Sequence, residues 1–274
     1  LSAASPAAGL ELIDIGANLA HESFHADFDA MLARARAAGV ARIVVTGSSL
    51  DSARQAVELA RRHRGFLYAT AGLHPHHAAE WSDELAAQFG ALARQPEVVS
   101  LGECGLDYFR NFATHEEQRR AFAAQLALAV AAGKPLFLHQ RDAHGDFLAM
   151  LREHRAQLGA VVVHCFTDTR EALHEYLALD CHIGITGWIC DERRGTQLLE
   201  AVRDIPDQRL LIETDAPYLL PHNAPKELTR ALHRRNEPAL LPWVLRKIAQ
   251  ARGADEQALA RLTAANARRF FGLP

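Results

Sequence analysis

Short apolar runs alternate along the chain with longer stretches in which apolar positions recur every three or four residues. The runs fall at 10–15, 42–46, 66–72, 98–102, 135–139, 160–164, 181–186 and 209–213. Most are nearly continuous in Val, Ile, Leu or Phe, as parallel strands covered on both faces require. Between them the periodicity predicts helices over about 25–38, 51–63, 82–94, 115–132, 143–154, 169–179, 191–203 and 240–251, with a ninth over 255–270 that would pack on the outside. Asp51 and Ser82 are placed as N-caps, and Gly39 and Gly133 at C-terminal caps ahead of the next strand. Eight strand–helix pairs in one series predict an α/β fold, a single (β/α)8 TIM barrel. A doubly wound open sheet is the rival, but it normally offers fewer strands and one crevice. One domain over 10–274 is expected, preceded by a short N-terminal extension over 1–9. The longest irregular piece, Pro217 to Pro238, lies between the last strand and its helix, and such a length is uncommon unless functional.

Polar residues crowd the ends of these runs. Glu103, His139, His164 and Asp215 each stand just past one, on strands four, five, six and eight. In a barrel these ends face one rim and converge. Two imidazoles and two carboxylates from four strands make a cage for a divalent metal. Such a metal lowers the pKa of bound water and polarises a phosphoryl or carbonyl oxygen, which predicts a metal-dependent hydrolase. Asp215 suits the roles of ligand and general base at once. His74 and His76, after the third strand, are placed to contact a scissile phosphate or leaving oxygen. Arg141 follows His139 by two residues, and the long loop carries Lys226, Arg230, Arg234 and Arg235. Arginine's fork matches phosphate oxygens, so these side chains are candidate backbone contacts. Tyr108, Phe109, Trp188 and Tyr218 are candidates for stacking on unpaired bases.

Plainer readings stand beside these. Asp14 serves either the ligand side or the structural closure of the barrel mouth. Asp107 orients Arg110 or a ligand imidazole, or is simply solvated. His182, inside the seventh run, is read as packed, and Trp188 as rim packing. Arg193 and Arg194 beside Asp191 and Glu192 read as a salt-bridged helix start. His25, His63, His77, His115, His154 and His174 fall on surfaces.

Composition narrows the class. The chain has 274 residues, 49% hydrophobic and 23% charged, enough for a large core without staples. A net charge of −3 shows no global basic field, so any nucleic-acid contact must be local. Cys104, Cys165, Cys181 and Cys190 have no C-x-x-C spacing and are expected to be reduced and buried, as in a cytoplasmic protein. Cys104 and Cys165, beside strand-end polar residues, are expected to turn away from the site. No apolar stretch approaches the roughly 18 residues that cross a bilayer. Leu1 to Gly9 lacks the marks of a signal peptide. No membrane contact and a monomer are expected.

Six motifs in order carry a resemblance: Gly72-Leu73-His74-Pro75-His76, Gly102-Glu103-Cys104-Gly105-Leu106-Asp107, His164-Cys165-Phe166-Thr167, Gly184-Ile185-Thr186-Gly187-Trp188, Glu213-Thr214-Asp215-Ala216-Pro217-Tyr218 and Arg235-Asn236-Glu237-Pro238. Together with Asp14-Ile15-Gly16-Ala17-Asn18-Leu19, they resemble the TatD-type metal-dependent deoxyribonucleases, among the amidohydrolase-like barrels. The run from Gly187 to Gly195 is similar to the TatD subgroup within that family. The resemblance implies hydrolysis of phosphodiester bonds, with 3′→5′ exonuclease action preferring single-stranded DNA, RNA included as a further substrate, and a role in DNA repair or nucleic-acid turnover. It implies metal ligation by Glu103, His139, His164 and Asp215, with Asp215 and Glu103 as catalytic groups. Many relatives carry Asp-x-His-x-His after the first strand, with both histidines on metal. Gly16 and Asn18 stand there in this chain. A second ion is therefore expected to be weakly held or to arrive with substrate. A site poor in nitrogen favours Mg2+, then Mn2+, over Zn2+. A hydrolase of esters, amides or lactones on the same fold, and a scaffold with a structural metal, are the alternatives.

Overall fold

The computed structural model describes Gly9 and residues 11–274, so the N-terminal extension expected over 1–9 lies, Gly9 apart, outside the described residues. Eight strands follow one another around a single parallel sheet in sequence order: β1 (Leu12–Ala17), β2 (Val40–Val45), β3 (Leu67–Ala71), β4 (Val98–Asp107), β5 (Leu136–Arg141), β6 (Val161–Val163), β7 (His182–Ile185) and β8 (Leu210–Ile212). A parallel bridge between Ala17 and Ala216 brings the last strand back to the first. The chain is thus the expected (β/α)8 barrel. Its helices are α1 (Phe28–Ala37), α2 (Leu50–Arg62), α3 (Asp83–Ala93), α4 (His115–Ala132), α5 (His144–His154), α6 (Arg170–Ala178), α7 (Thr196–Ala201), α8 (Lys226–Ala231), α9 (Leu241–Arg252) and α10 (Glu256–Phe271).

Strand parity splits the apolar residues into two cores. Leu12, Ile43, Val45, Leu67, Leu136, Val161 and Ile183 face the helices. Ile13, Ile15, Val44, Val99, Phe137, Val162 and Leu211 face inward and pack with Ala264, Ala267, Phe270 and Phe271 of α10. This corrects the expectation that the last helix packs on the outside. Its C-terminal phenylalanines join the inner core among residues from the strands' starts, closing the end of the barrel opposite the polar strand ends.

Other corrections have local causes. The α2 cap is Ser49, which accepts from Ser52 N while the Ser52 hydroxyl accepts from Ser49 N; Asp51 lies inside the first turn. The helix expected over 191–203 starts only at Thr196, because the Asp191 carboxylate takes the amides of Arg193 and Arg194 and holds a turn. The loop from Pro217 to Pro238 contains α8, whose six residues are too few to show a period. Among the described residues no helix is long and apolar enough to cross a membrane.

Candidate active site

Strand β4 runs five residues past its apolar stretch and aims Glu103 into the barrel mouth. Gly102 and Gly105 flank it at φ +122° and +144°, where a side chain would collide with the Phe137 and His139 carbonyls. Pairing with β5 slips between Leu101 and Cys104, so the Glu103–Cys104 pair sits in an irregular segment. One oxygen of Glu103 then becomes a focus. Nε2 of His164 lies 2.8 Å from Oε1, Nδ1 of His139 3.2 Å and Nε2 of His74 3.4 Å. Ligand atoms of His74, Glu103 and His139 all lie within 4.8 Å of one another. The cluster thus takes in His74, which the sequence placed with the substrate groups.

A carboxylate stands behind each of two imidazoles. Asp107 Oδ2 lies 3.3 Å from His139 Nε2 and 3.0 Å from His76 Nε2, and its other oxygen accepts the Phe109 and Arg110 amides. Glu213 Oε2 lies 3.4 Å from His164 Nδ1, while Oε1 accepts the Cys165 amide at 2.6 Å. Such partners fix ring orientation and tautomer. Glu213 has no assigned role in the sequence reading, although parity finds it: it shares a face with Leu211, two residues earlier in the inner core. Its space exists because residue 16 is glycine. A Cβ at Gly16 would sit 2.5 Å from Glu213 Oε2 and 2.8 Å from Phe137 Cζ.

Charge follows this wiring. Burial works against a charged Glu103, but His74 and His164 more than reverse it and hold the carboxyl well below its usual range. Burial also opposes protonation of His164, yet Glu103 and Glu213 raise its pKa well above that of a free imidazole. His139 is raised by Asp107 and Glu103 against its burial. His74 is lowered well below the ordinary value, chiefly by burial. Asp215 is pushed up to about 8, first by burial, with His164 opposing and the Glu103 and Glu213 charges adding to the rise. Asn18 donates to Asp215 Oδ1 at 3.0 Å.

The profile described as TatD related DNase matches residues 13–272. The chain is 48% identical over 262 residues to a protein of Musicola paradisiaca named 3′-5′ ssDNA/RNA exonuclease TatD, across 96% of this chain and 98% of that one. It is 50% identical over 262 residues to a protein of Erwinia tasmaniensis with the same name, across 96% and 100%. The chain belongs to the TatD-related DNase family. A solved TatD homologue from Escherichia coli, 28% identical, superposes with a TM-score of 0.86 over 96% of this chain and 98% of the other. A TatD-family hydrolase structure from Entamoeba histolytica, 25% identical, gives the same score over 97% and 99%.

In this TatD-family chain the cluster opens into a cavity of about 810 Å³ whose lining includes His76, Arg141, His164, Cys165 and Asp215. Cys165 does not turn away as expected, since its left-handed backbone (φ 46°) interrupts strand alternation. Cys104, Cys181 and Cys190 are buried, and all four are free thiols. Asp14 serves structural closure: it accepts from Thr214 N at 2.9 Å and Thr214 Oγ1 at 2.5 Å, across the β1–β8 seam. Trp188 lines the cavity with Arg194 over its ring at 4.5 Å. Arg194 also pairs with Asp191, as the sequence suggested. Of the basic loop, Arg235 does not line the cavity. It pairs with Asp27 at 2.8 Å and with buried Glu237 at 3.2 Å, and lies over Phe24. Lys226, Arg230 and Arg234 are exposed, and none of them lines the cavity. His182 is buried edge-on against Phe270, 5.0 Å between ring centroids.

Proposed function

We propose that this chain is a metal-dependent nuclease that removes nucleotides from the 3′ end of single-stranded DNA, and of RNA, in nucleic-acid turnover or repair. One observation carries the reading. Three imidazoles converge on a single carboxylate oxygen at the barrel mouth, in a chain half-identical to proteins named 3′-5′ ssDNA/RNA exonuclease TatD.

The donor set suits a divalent cation: the Glu103 carboxylate and the His74 and His139 imidazoles lie at ligand spacing, and carboxylates back His139 and the adjoining His164. Glu103, His139 and His164 would hold it, with Asp215 as the fourth ligand and His74 beside them. Mg2+ is the ion proposed, with Mn2+ and Zn2+ the alternatives. A bound cation would supply Lewis-acid polarisation of the phosphoryl oxygen and a more acidic water. The remaining roles belong to the chain. Asp215, steadied by Asn18 at Oδ1, takes the proton of the attacking water. Burial and the Glu103 and Glu213 charges raise the proton affinity of this carboxylate, which suits it to accept a proton. Arg141 and His76 bind phosphate oxygens at the cavity wall, and Asp107 keeps His139 and His76 in register. One chain supplies every group, so a monomer suffices.

The test is an assay of single- and double-stranded DNA and RNA, labelled at either end, with Mg2+, Mn2+, Zn2+ or a chelator. The reading expects cation-dependent release of mononucleotides from the 3′ ends of single strands, absent with chelator and in Glu103→Ala. A protein that hydrolyses neutral esters or lactones but no phosphodiester with any metal contradicts it and favours a carbonyl hydrolase.

A further inference from the structure

Nothing in the metal cluster itself distinguishes a single strand from a duplex, because every strand end presents a phosphodiester. The surface around it does. Among the described residues the large apolar side chains left exposed are Phe109 (51%), Phe112 (67%), Tyr218 (52%) and Leu228 (37%). Phe109 and Tyr218 line the cavity. Phe112 packs edge-on against His76, which also lines it, at 4.8 Å between ring centroids. Covering these rings with a stacked ligand at the cavity mouth would be favourable.

Charge says which partner. The Arg141 guanidinium lies 3.8 Å from the Phe109 ring centroid, and Arg110 lies 5.7 Å from it. Both arginines line the same cavity. Aromatic faces interleaved with arginines suit single-stranded nucleic acid, whose unpaired bases stack while its phosphates meet cations. A duplex keeps its base faces stacked inside, apart from the outer face of its terminal pair. The segment is also tied to the reaction centre, because Asp107 accepts the Phe109 and Arg110 amides and contacts His76 and His139.

We propose that Phe109 and Phe112, with Arg110 and Arg141, form the seat for the unpaired bases and phosphates of the strand leading into the site, and that this seat sets the preference for single strands. The inference rests on the nuclease reading and adds the element that selects the substrate. Phe109 and Phe112 bind bases, the two arginines bind the backbone, and the cluster acts on the terminal linkage.

The test separates binding from turnover. A short fluorescent oligodeoxynucleotide is titrated with the full chain in the presence of chelator, and anisotropy gives Kd. Phe109→Ala and Phe112→Ala should each weaken binding about 10-fold, in keeping with the stacking worth of one base. Phe112→Tyr, which keeps a stacking face, should restore most of the Phe112→Ala loss. An oligonucleotide made abasic at the second and third positions from its 3′ end should bind the wild type as weakly as the intact strand binds the double alanine variant. The double variant should not distinguish the two strands. Both rings are exposed, so folding is expected to be unaffected, and circular dichroism checks it. Equal Kd with and without the rings, or equal wild-type affinity for intact and abasic strands, overturns the proposal. Ring-dependent binding without phosphodiester cleavage under any metal supports the seat and overturns the nuclease reading instead.

Discussion

The β4–β6 side of the barrel mouth and the β1–β8 side are made from the same kind of strand end, yet they are completed in opposite ways. On the first side, Glu103 meets three imidazoles, and Asp107 and Glu213 hold two of those rings from behind. On the second, Asp14 is occupied by Thr214, Gly16 offers no side chain, and the Asn18 amide serves Asp215. Even the space at Gly16 works for the opposite side, since the carboxylate of Glu213 fills it and supports His164. What a strand-end polar residue is free to do therefore depends on what stands behind it, and not on its type alone. On the proposed reading this asymmetry makes the Glu103 cluster the main hold on the cation, with Asp215 completing it from the β8 side and taking the proton.

Breaking the strong side should cost most. Glu103→Ala removes the atom on which the imidazoles converge, and turnover should fall to the level without enzyme while thermal unfolding shows an intact barrel. Next come the supporting carboxylates. Glu213→Gln and Asp107→Asn should each lower cation affinity about 10–100-fold, measured by titration with Mn2+. Wild-type affinity in both would remove the distinction between the two sides. On the weak side, Asn18→Ala should lower turnover at neutral pH only about 5-fold, the worth of one hydrogen bond of ~1 kcal/mol. Its sign is fixed. The Asn18 hydrogen bond lowers the Asp215 pKa, so its loss raises that pKa and moves the activity rise to higher pH. A shift to lower pH would contradict Asp215 as the base. Gly16→Ala should cost about 1–3 kcal/mol in denaturant unfolding, because Glu213 or Phe137 must move. An unchanged midpoint would show that the space is not needed.

The barrel was legible because its strands are buried on both faces and read as apolar runs between periodic helices. Reading was poorest where local chemistry replaced periodicity. Gly102 and Gly105 break the apolar run of β4 and hide its second half. The α10 helix has an ordinary amphipathic pattern, which does not say whether it lies beside the barrel or across its end. In the site, Glu103, His139 and His164 stand out because each ends an apolar run, and the structure brings them together. Glu213 was hidden inside a motif, though parity with Leu211 points it inward. Arg235 illustrates the opposite limit. A basic side chain in a functional loop looks available to phosphate, and only the distant Asp27 and the neighbouring Glu237 reveal its actual partners.

The central claim is that the β4–β6 cluster holds the cation, and calorimetric titration of Mn2+ into the wild type and Glu103→Ala tests it most directly. Neighbouring carboxylates favour the protonated forms of His139 and His164, so a cation competes with protons for them, and affinity should fall as pH falls. The account predicts one firmly held ion in the wild type, with proton release at neutral pH that depends on buffer ionisation, and loss of both in folded Glu103→Ala. Binding by that variant with wild-type affinity, stoichiometry and proton release would contradict it.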